Sequence, residues 1–309
     1  MALTRRSLLT SAAALPALPL LASSASAGGH AAVAPSPIAR SFGVGDFVVT
    51  TLLAGSSERD NPQGTFGMNV SAEEFARVSE ENFVSTETYQ GYFTPVVVQT
   101  GSETILFDTG LPGDGVPNAL GALGLAPADI THVVLTHMHG DHVGGLTNDA
   151  GEVYSNAQYI AGSAEYNHWT SDAASERGAG TVAAKVTPLV EKVSFIDGGA
   201  SIRPGITSMA TPGHTPGHMG FMLESNGEML FISGDMANHH VWSLAYPDWE
   251  VRFDADKEAA AATRRSVLSM LAAERVPMSG YHMPFPGVGY VEARGDGFHW
   301  VPVTYQMSV

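Results

Sequence analysis

The segment Val133-Val134-Leu135-Thr136-His137-Met138-His139-Gly140-Asp141-His142 constrains this chain more than any other. An apolar, β-branched run reads as a buried strand, and it delivers three histidines and an aspartate within six residues. At an extended strand end, residues two apart face the same way, so His137 and His139 can grip one ion together. Gly140 is expected to allow a sharp turn, after which Asp141 and His142 face a second position a few ångströms on. Such a cluster is a far stronger metal signal than a lone two-histidine motif.

Three later pieces extend it. His214 lies in Thr211-Pro212-Gly213-His214-Thr215-Pro216-Gly217-His218, a turn held by two Pro-Gly pairs that fix the backbone. Asp235 follows the apolar strand Met229–Ile232, and His282 follows Gly280-Tyr281 near the C-terminus. Taken singly, each is the hydrogen-bonded polar residue common at strand ends. Together they supply five histidines and two aspartates without sulfur, a donor set suited to borderline-hard divalent ions.

Composition narrows the rest. The 309 residues include no cysteine, which excludes a disulfide framework, a thiol nucleophile and thiolate metal ligands. Fifteen Lys+Arg against 31 Asp+Glu give a net charge of −16, which argues against nucleic acid and against a polybasic membrane surface as partners. The start, Arg5-Arg6 followed by an apolar stretch to Ala22 and the small residues Ala25-Ser26-Ala27, reads as a twin-arginine export signal. Residues 1–27 would then be removed and residues 28–309 would act outside the cytoplasm, in the periplasm or beyond.

Along 28–309, residues 28–44 read as a linker and Phe47–Leu53 as a first strand. Residues 55–92 read as a long flap with a helical patch at 72–78. Strands are expected at 96–99, 104–107, 133–136, 157–161, 193–196, 206–209, 219–223 and 229–232. Helices are expected near 163–170, 180–192 and 256–274. Several strands stand too close for helical crossovers and must form antiparallel hairpins, so mixed sheets with helices outside are expected, in one domain.

These residues resemble the metallo-β-lactamase superfamily, in order, over nearly the whole of 28–309. The resemblance implies a four-layer αββα sandwich of two mixed sheets flanked by helices, with the site at the sheet edges. It implies that His137, His139 and His214 hold one divalent ion, that Asp141, His142 and His282 hold a second, and that Asp235 bridges them. Zinc is the expected pair, with Mn, Fe, Co and Ni as alternatives. Asp108, in Phe107-Asp108-Thr109-Gly110, and His218 would support the ligands from behind. The C-terminal run 285–303 is similar to the methyl parathion hydrolase and lactonase branch. The set departs from class B1 β-lactamases, which place a cysteine in the second site. It also departs from the lactonases of bacilli, which carry a tyrosine where this chain has Asn238.

The expected chemistry is hydrolysis. Two adjacent divalent ions lower the pKa of a shared water, and the resulting hydroxide would open a lactone or related ester. Asp141 has a second expected use, carrying a proton to the leaving group. Phosphotriester hydrolysis is the nearest alternative; β-lactam hydrolysis and metal binding without turnover are further ones. For the substrate pocket the expected residues are Trp169, Phe285 and Asn238, with Phe66, Met68 and Phe83 of the flap as a roof. Few other aromatics are expected there. His239 and His240 read as pocket rim or surface. The partner is a small molecule, and the apolar flap would suit a homodimer.

Overall fold

The computed structural model describes residues 38–303, so the export signal at 1–27 lies outside the described residues. In chain order the strands begin with β1 (Ala39–Val44), β2 (Phe47–Leu52), β3 (Gly55–Asp60) and β4 (Thr88–Phe93). They continue with β5 (Val96–Gln99), β6 (Thr104–Phe107), β7 (His132–Val134), β8 (Thr147–Asn148), β9 (Gly151–Glu152), β10 (Gln158–Gly162) and β11 (Val193–Ile196). The remainder are β12 (Ser201–Arg203), β13 (Ile206–Ala210), β14 (Met219–Ser225), β15 (Glu228–Ile232), β16 (Met278–Ser279), β17 (Val288–Arg294) and β18 (Gly297–Pro302). Six α-helices accompany them: α1 (Ala72–Glu81), α2 (Gly115–Gly121), α3 (Gly140–Val143), α4 (Ser163–Trp169), α5 (Glu176–Lys185) and α6 (Lys257–Glu274).

Two seven-stranded mixed sheets form, in the orders β1-β2-β5-β6-β7-β10-β11 and β12 through β18. The hairpins β5/β6 and β14/β15 are antiparallel, whereas β6/β7 and β7/β10 run parallel. Alternation sets the layers. Val96, Val98, Ile105, Phe107 and Val134 meet Ile206, Phe221, Leu230 and Ile232 between the sheets. Their neighbours Val97, Leu106 and Val133 turn outward onto Val116, Leu120 and Val182 of α2 and α5. On the far side Phe231, Met278 and Val291 pack on Val267, Leu268 and Leu271 of α6. This is the expected αββα sandwich, and strands covered on both faces explain the unbroken apolar runs.

Three expectations need correction. Residues 39–44 are not linker but edge strand β1, paired along its length with β2. The flap is largely regular: β3 and β4 form a hairpin, and α1 closes on Trp242 and Trp249 through Phe75 and Val78. Its polar, exposed strand faces hide it from a hydrophobicity pattern. The helix expected at 180–192 starts earlier, with Ser175 capping Gly178 N–H, and stops at Lys185, ahead of a 3₁₀ turn over Thr187–Lys192 that carries Pro188 in its first turn. None of the helices among the described residues is long and apolar enough to cross a membrane.

Candidate metal centre

Each predicted ligand leaves the end of a strand or a turn beside one, on one edge of the sandwich. His137 and His139 follow β7, Asp235 follows β15, His282 follows β16, and His214 precedes β14. The backbone then turns helical at Gly140, carrying Asp141 and His142 on the short α3 with His139 as its cap. Gly140 itself needs no glycine freedom, since a side chain there would meet only Thr181 Cγ2 at 3.9 Å. The expected sharp turn is a helical one.

Two groups of donors converge. His137 Nε2 lies 3.1 Å from His139 Nδ1, which lies 3.0 Å from His214 Nε2. Asp141 Oδ2 stands 3.8 Å from His142 Nε2 and 3.4 Å from His282 Nε2. Asp235 sits between: Oδ1 is 3.2 Å from His142 Nε2, and Oδ2 is 3.3 Å from His214 Nε2 and 3.0 Å from His282 Nε2. All seven residues therefore meet: His137, His139 and His214 form one three-donor group, Asp141, His142 and His282 another, and His137, His142 and Asp235 a third that overlaps both.

Partners behind the ring decide which nitrogen faces inward. His142 Nδ1–H donates to Asp108 Oδ2 at 2.8 Å, and His214 Nδ1–H to Asp254 Oδ1 at 3.0 Å. His282 Nδ1–H donates to the Tyr92 carbonyl at 2.6 Å. Thr136 Oγ1 donates to Asp108 Oδ2 and accepts from His137 Nδ1–H at 3.1 Å. Each Nε2 is thus left bare toward the centre. Asp108 takes a left-handed backbone, φ 61°, to reach Thr136 N–H, the Thr136 hydroxyl and His142 together. His218 is spent in the same framework: its Nε2 accepts Asp235 N–H at 2.9 Å, so its Nδ1–H goes to Thr211 Oγ1. Both of its ring nitrogens are thereby taken.

The donor set fits divalent ions on two observations. Buried His142 Nε2 and Asp235 Oδ1 have no hydrogen-bond partner, although unpaired buried polar atoms cost about 1–3 kcal/mol each. Nitrogens about 3 Å apart match ligands that share an ion at about 2.0–2.1 Å. Electrostatics divides the histidines. Burial, reinforced by neighbouring imidazoles, holds His137 well below its ordinary pKa and brings His139 and His218 to about 3. Burial also pulls on His142 and His282, but Asp235 and the other carboxylates outweigh it and raise both. Asp235, which burial would raise, is held well below the carboxylate range by His282 and His142.

Some of the framework was invisible in the sequence. Asp254 also accepts from Arg264 Nη1 at 2.8 Å, a fully buried guanidinium on α6. Glu165, 1% exposed, accepts from Met138 N–H, Trp169 Nε1–H, the Thr215 hydroxyl and Gly217 N–H, tying the two histidine loops together. The signal available was Glu165 four residues before Trp169 on one helix face. The Tyr281 hydroxyl donates to the Asp141 carbonyl at 2.5 Å.

The centre floors a cavity of about 800 Å³. Trp169, Phe66 and Asn238 line it, as expected, and Asn238 Oδ1 is buried without a partner. Phe285 does not line it. The tight turn closed by Gly280 N–H to Gly287 O carries it away. Met68, 48% exposed, and Phe83, 97% exposed, lie outside the lining as well. His239 is not rim but core, stacked on Trp242 at 3.9 Å, and His240 lies beside it, outside the lining. Aromatics are more numerous than expected, because the flap hairpin supplies Tyr89 and Phe93 and the segment before α6 supplies Phe253.

Comparison with known proteins agrees with this fold. Among curated relatives, an N-acyl homoserine lactonase from Bacillus sp is 30% identical over 112 residues, 36% of this chain and 40% of that protein. One from Bacillus cereus is 29% identical over 161 residues, 44% of this chain and 60% of its own. An atrochrysone carboxyl ACP thioesterase from Aspergillus terreus is 30% identical over 157 residues, 50% of this chain and 41% of that protein. The chain thus spans 40–60% of the length of these relatives. Among solved structures, AidC, a dizinc quorum-quenching lactonase in complex with a product, superimposes with a TM-score of 0.78 at 24% identity, covering 87% of this chain and 99% of that one. AbOPH, a hydrolase in the beta lactamase superfamily, gives 0.80 at 23% identity over 88% and 99%. At these identities the likeness speaks to the fold. The family model described as Metallo-beta-lactamase superfamily matches residues 94–279, more than half of the chain and every converging ligand except His282. On this match and the shared fold, the chain belongs to the metallo-beta-lactamase superfamily.

Proposed function

We propose that this protein is a hydrolase with two divalent ions that opens lactones or related esters. The observation that carries the reading is the pair of three-residue donor groups joined by Asp235 on the floor of an apolar-walled cavity. His137, His139 and His214 would hold one ion, and Asp141, His142 and His282 the other. Structural zinc sites are closed four-ligand sets, whereas this arrangement is paired and open to a cavity. Two such ions supply Lewis acidity toward a carbonyl and an acidified water at neutral pH.

The protein's own residues do the rest. Asp108, Asp254 and the Tyr92 carbonyl fix the rings so that no reorganisation is needed during reaction. Asp141, whose side chain is 24% exposed, would carry a proton to the departing alkoxide. Asn238 offers a buried, unpartnered amide oxygen to a substrate N–H such as that of an acyl amide, and Trp169, Phe66 and Phe93 wall off water.

The lactonase relatives support lactones as the substrate. The aromatic lining favours a second reading, aryl phosphotriesters, whose leaving-group rings stack on aromatic walls. A panel of lactones, aryl esters, phosphotriesters and β-lactams, assayed on metal-loaded protein, decides. Lactones are expected to show the highest kcat/KM; phosphotriesters preferred tenfold or more, about 1.4 kcal/mol, would reverse the ordering. We further propose export through Arg5 and Arg6; normal export of the Lys-Lys variant would refute that part.

A further inference from the structure

The charged residues that line the cavity are not distributed like those of the chain. Apart from Asp141 and Asp235 in the ligand set, every charged lining residue is basic: Arg59, Arg177 and Lys185. The whole chain has 15 bases against 31 acids, so chance favours acids there. Bases engaged in ion pairs among the described residues are Arg77, Lys192, Arg203, Arg264, Arg265 and Arg294, and none of them lines the cavity. The Arg59 side chain donates to the Ser57 hydroxyl at 3.4 Å, and Lys185 Nζ donates to the Thr147 carbonyl.

Position makes the pattern harder to attribute to folding. Arg177 is the second residue of α5, where a cation opposes the helix dipole. Its helix is nevertheless held close to the site, because Gly178 packs where a side chain would strike Trp169 at 2.0 Å. Arg59 lies directly across the β3/β4 hairpin from Tyr89, another lining residue, so its side chain shares the cavity face while Glu58 and Asp60 point the other way. Guanidinium groups recognise carboxylates and phosphates through paired N–H donors. The cavity therefore joins an ester-opening floor to a cationic outer wall on two separate elements.

We infer that the preferred substrate carries an anionic group, a carboxylate or phosphate, at the end remote from the ester, held between Arg59 and Arg177. This rests on the ester-hydrolase reading above and narrows it to acidic lactones or esters. The test uses metal-loaded full-length protein and three aryl esters of equal acyl length, ending in a carboxylate, a phosphate monoester or an uncharged amide. At low ionic strength at least one acidic ester is expected to exceed the amide about tenfold in kcat/KM, and whichever acid does so identifies the source. The advantage should shrink as salt rises. It should fall toward one in the Arg59→Gln/Arg177→Gln double variant, with melting temperature and metal content checked against the parent. Parity of all three esters in the parent, or an advantage that survives the double variant, would overturn the inference. Calorimetry with the terminally acidic carboxylic acids that hydrolysis of the two acidic esters would release, which have no ester to cleave, separates the two claims. Arginine-dependent binding without turnover of any ester would keep the anion site and defeat the hydrolase reading.

Discussion

His142 Nε2 and Asp235 Oδ1 face each other across 3.2 Å at the centre of the site, both buried and neither with a hydrogen-bond partner. His142 Nδ1 is committed to Asp108, and Asp235 Oδ2 stands 3.0 Å from the inward-facing His282 Nε2. Much of the framework holds these two donors apart from water, an arrangement that a cation between them would make favourable.

The buried Asp254–Arg264 pair stands behind His214, so its loss should be felt twice. Asp254→Asn leaves a buried guanidinium without its carboxylate and is expected to cost about 3–5 kcal/mol of stability. It also replaces the carboxylate behind the His214 ring with a neutral acceptor, which should weaken metal binding by about 10–100-fold. Denaturant melts and metal titrations check both; unchanged metal affinity would contradict the positioning role.

Phe253 lines the cavity while 44% exposed, so it can be removed without opening the core. Phe253→Ala should lower kcat/KM for long-chain lactones about fivefold, about 1 kcal/mol of apolar contact, and spare short-chain ones. Equal loss for both lengths would show that Phe253 does not touch the acyl chain.

His239 provides a pH signature away from the ligands. Burial first, and then the neighbouring His240, hold its pKa well below 6.5, while Nδ1 accepts Val241 and Trp242 N–H. The unfolded chain takes up a proton near pH 6.5 and the native ring does not. Its stabilisation is therefore complete above that pH and drains as pH falls toward the folded pKa, at up to about 1.4 kcal/mol per unit. Urea melts of parent and His239→Gln should converge between pH 7 and 5, because the variant lacks this loss. Parallel slopes would refute it.

Gly140→Ala should fold and gain about 0.4–1 kcal/mol, since the position is helical and open. Gly145→Ala should instead be strongly destabilised, its Cβ falling 2.2 Å from the Thr109 carbonyl. Comparable melting temperatures for the two variants would contradict this packing.

The ligand set was legible because metal donors must be specific residue types and because strand ends announce themselves through apolar runs such as Val133-Val134-Leu135. The supports were less so. Asp254 and Arg264 look like ordinary surface charges in sequence, and only the folding of α6 against the His214 turn buries them. The flap misled for a related reason. Glu58, Arg59 and Asp60 form an exposed hairpin strand whose pairing with β4 leaves no apolar alternation. Phe285 was misplaced because proximity to His282 in sequence says nothing about a turn that reverses between Gly280 and Gly287.

Metal content of the purified protein, with and without His282→Ala, tests the central claim most directly. About two divalent ions per chain are expected, falling to about one in the variant, because His282 belongs only to the group containing Asp141 and His142. One ion per chain in both proteins would contradict it.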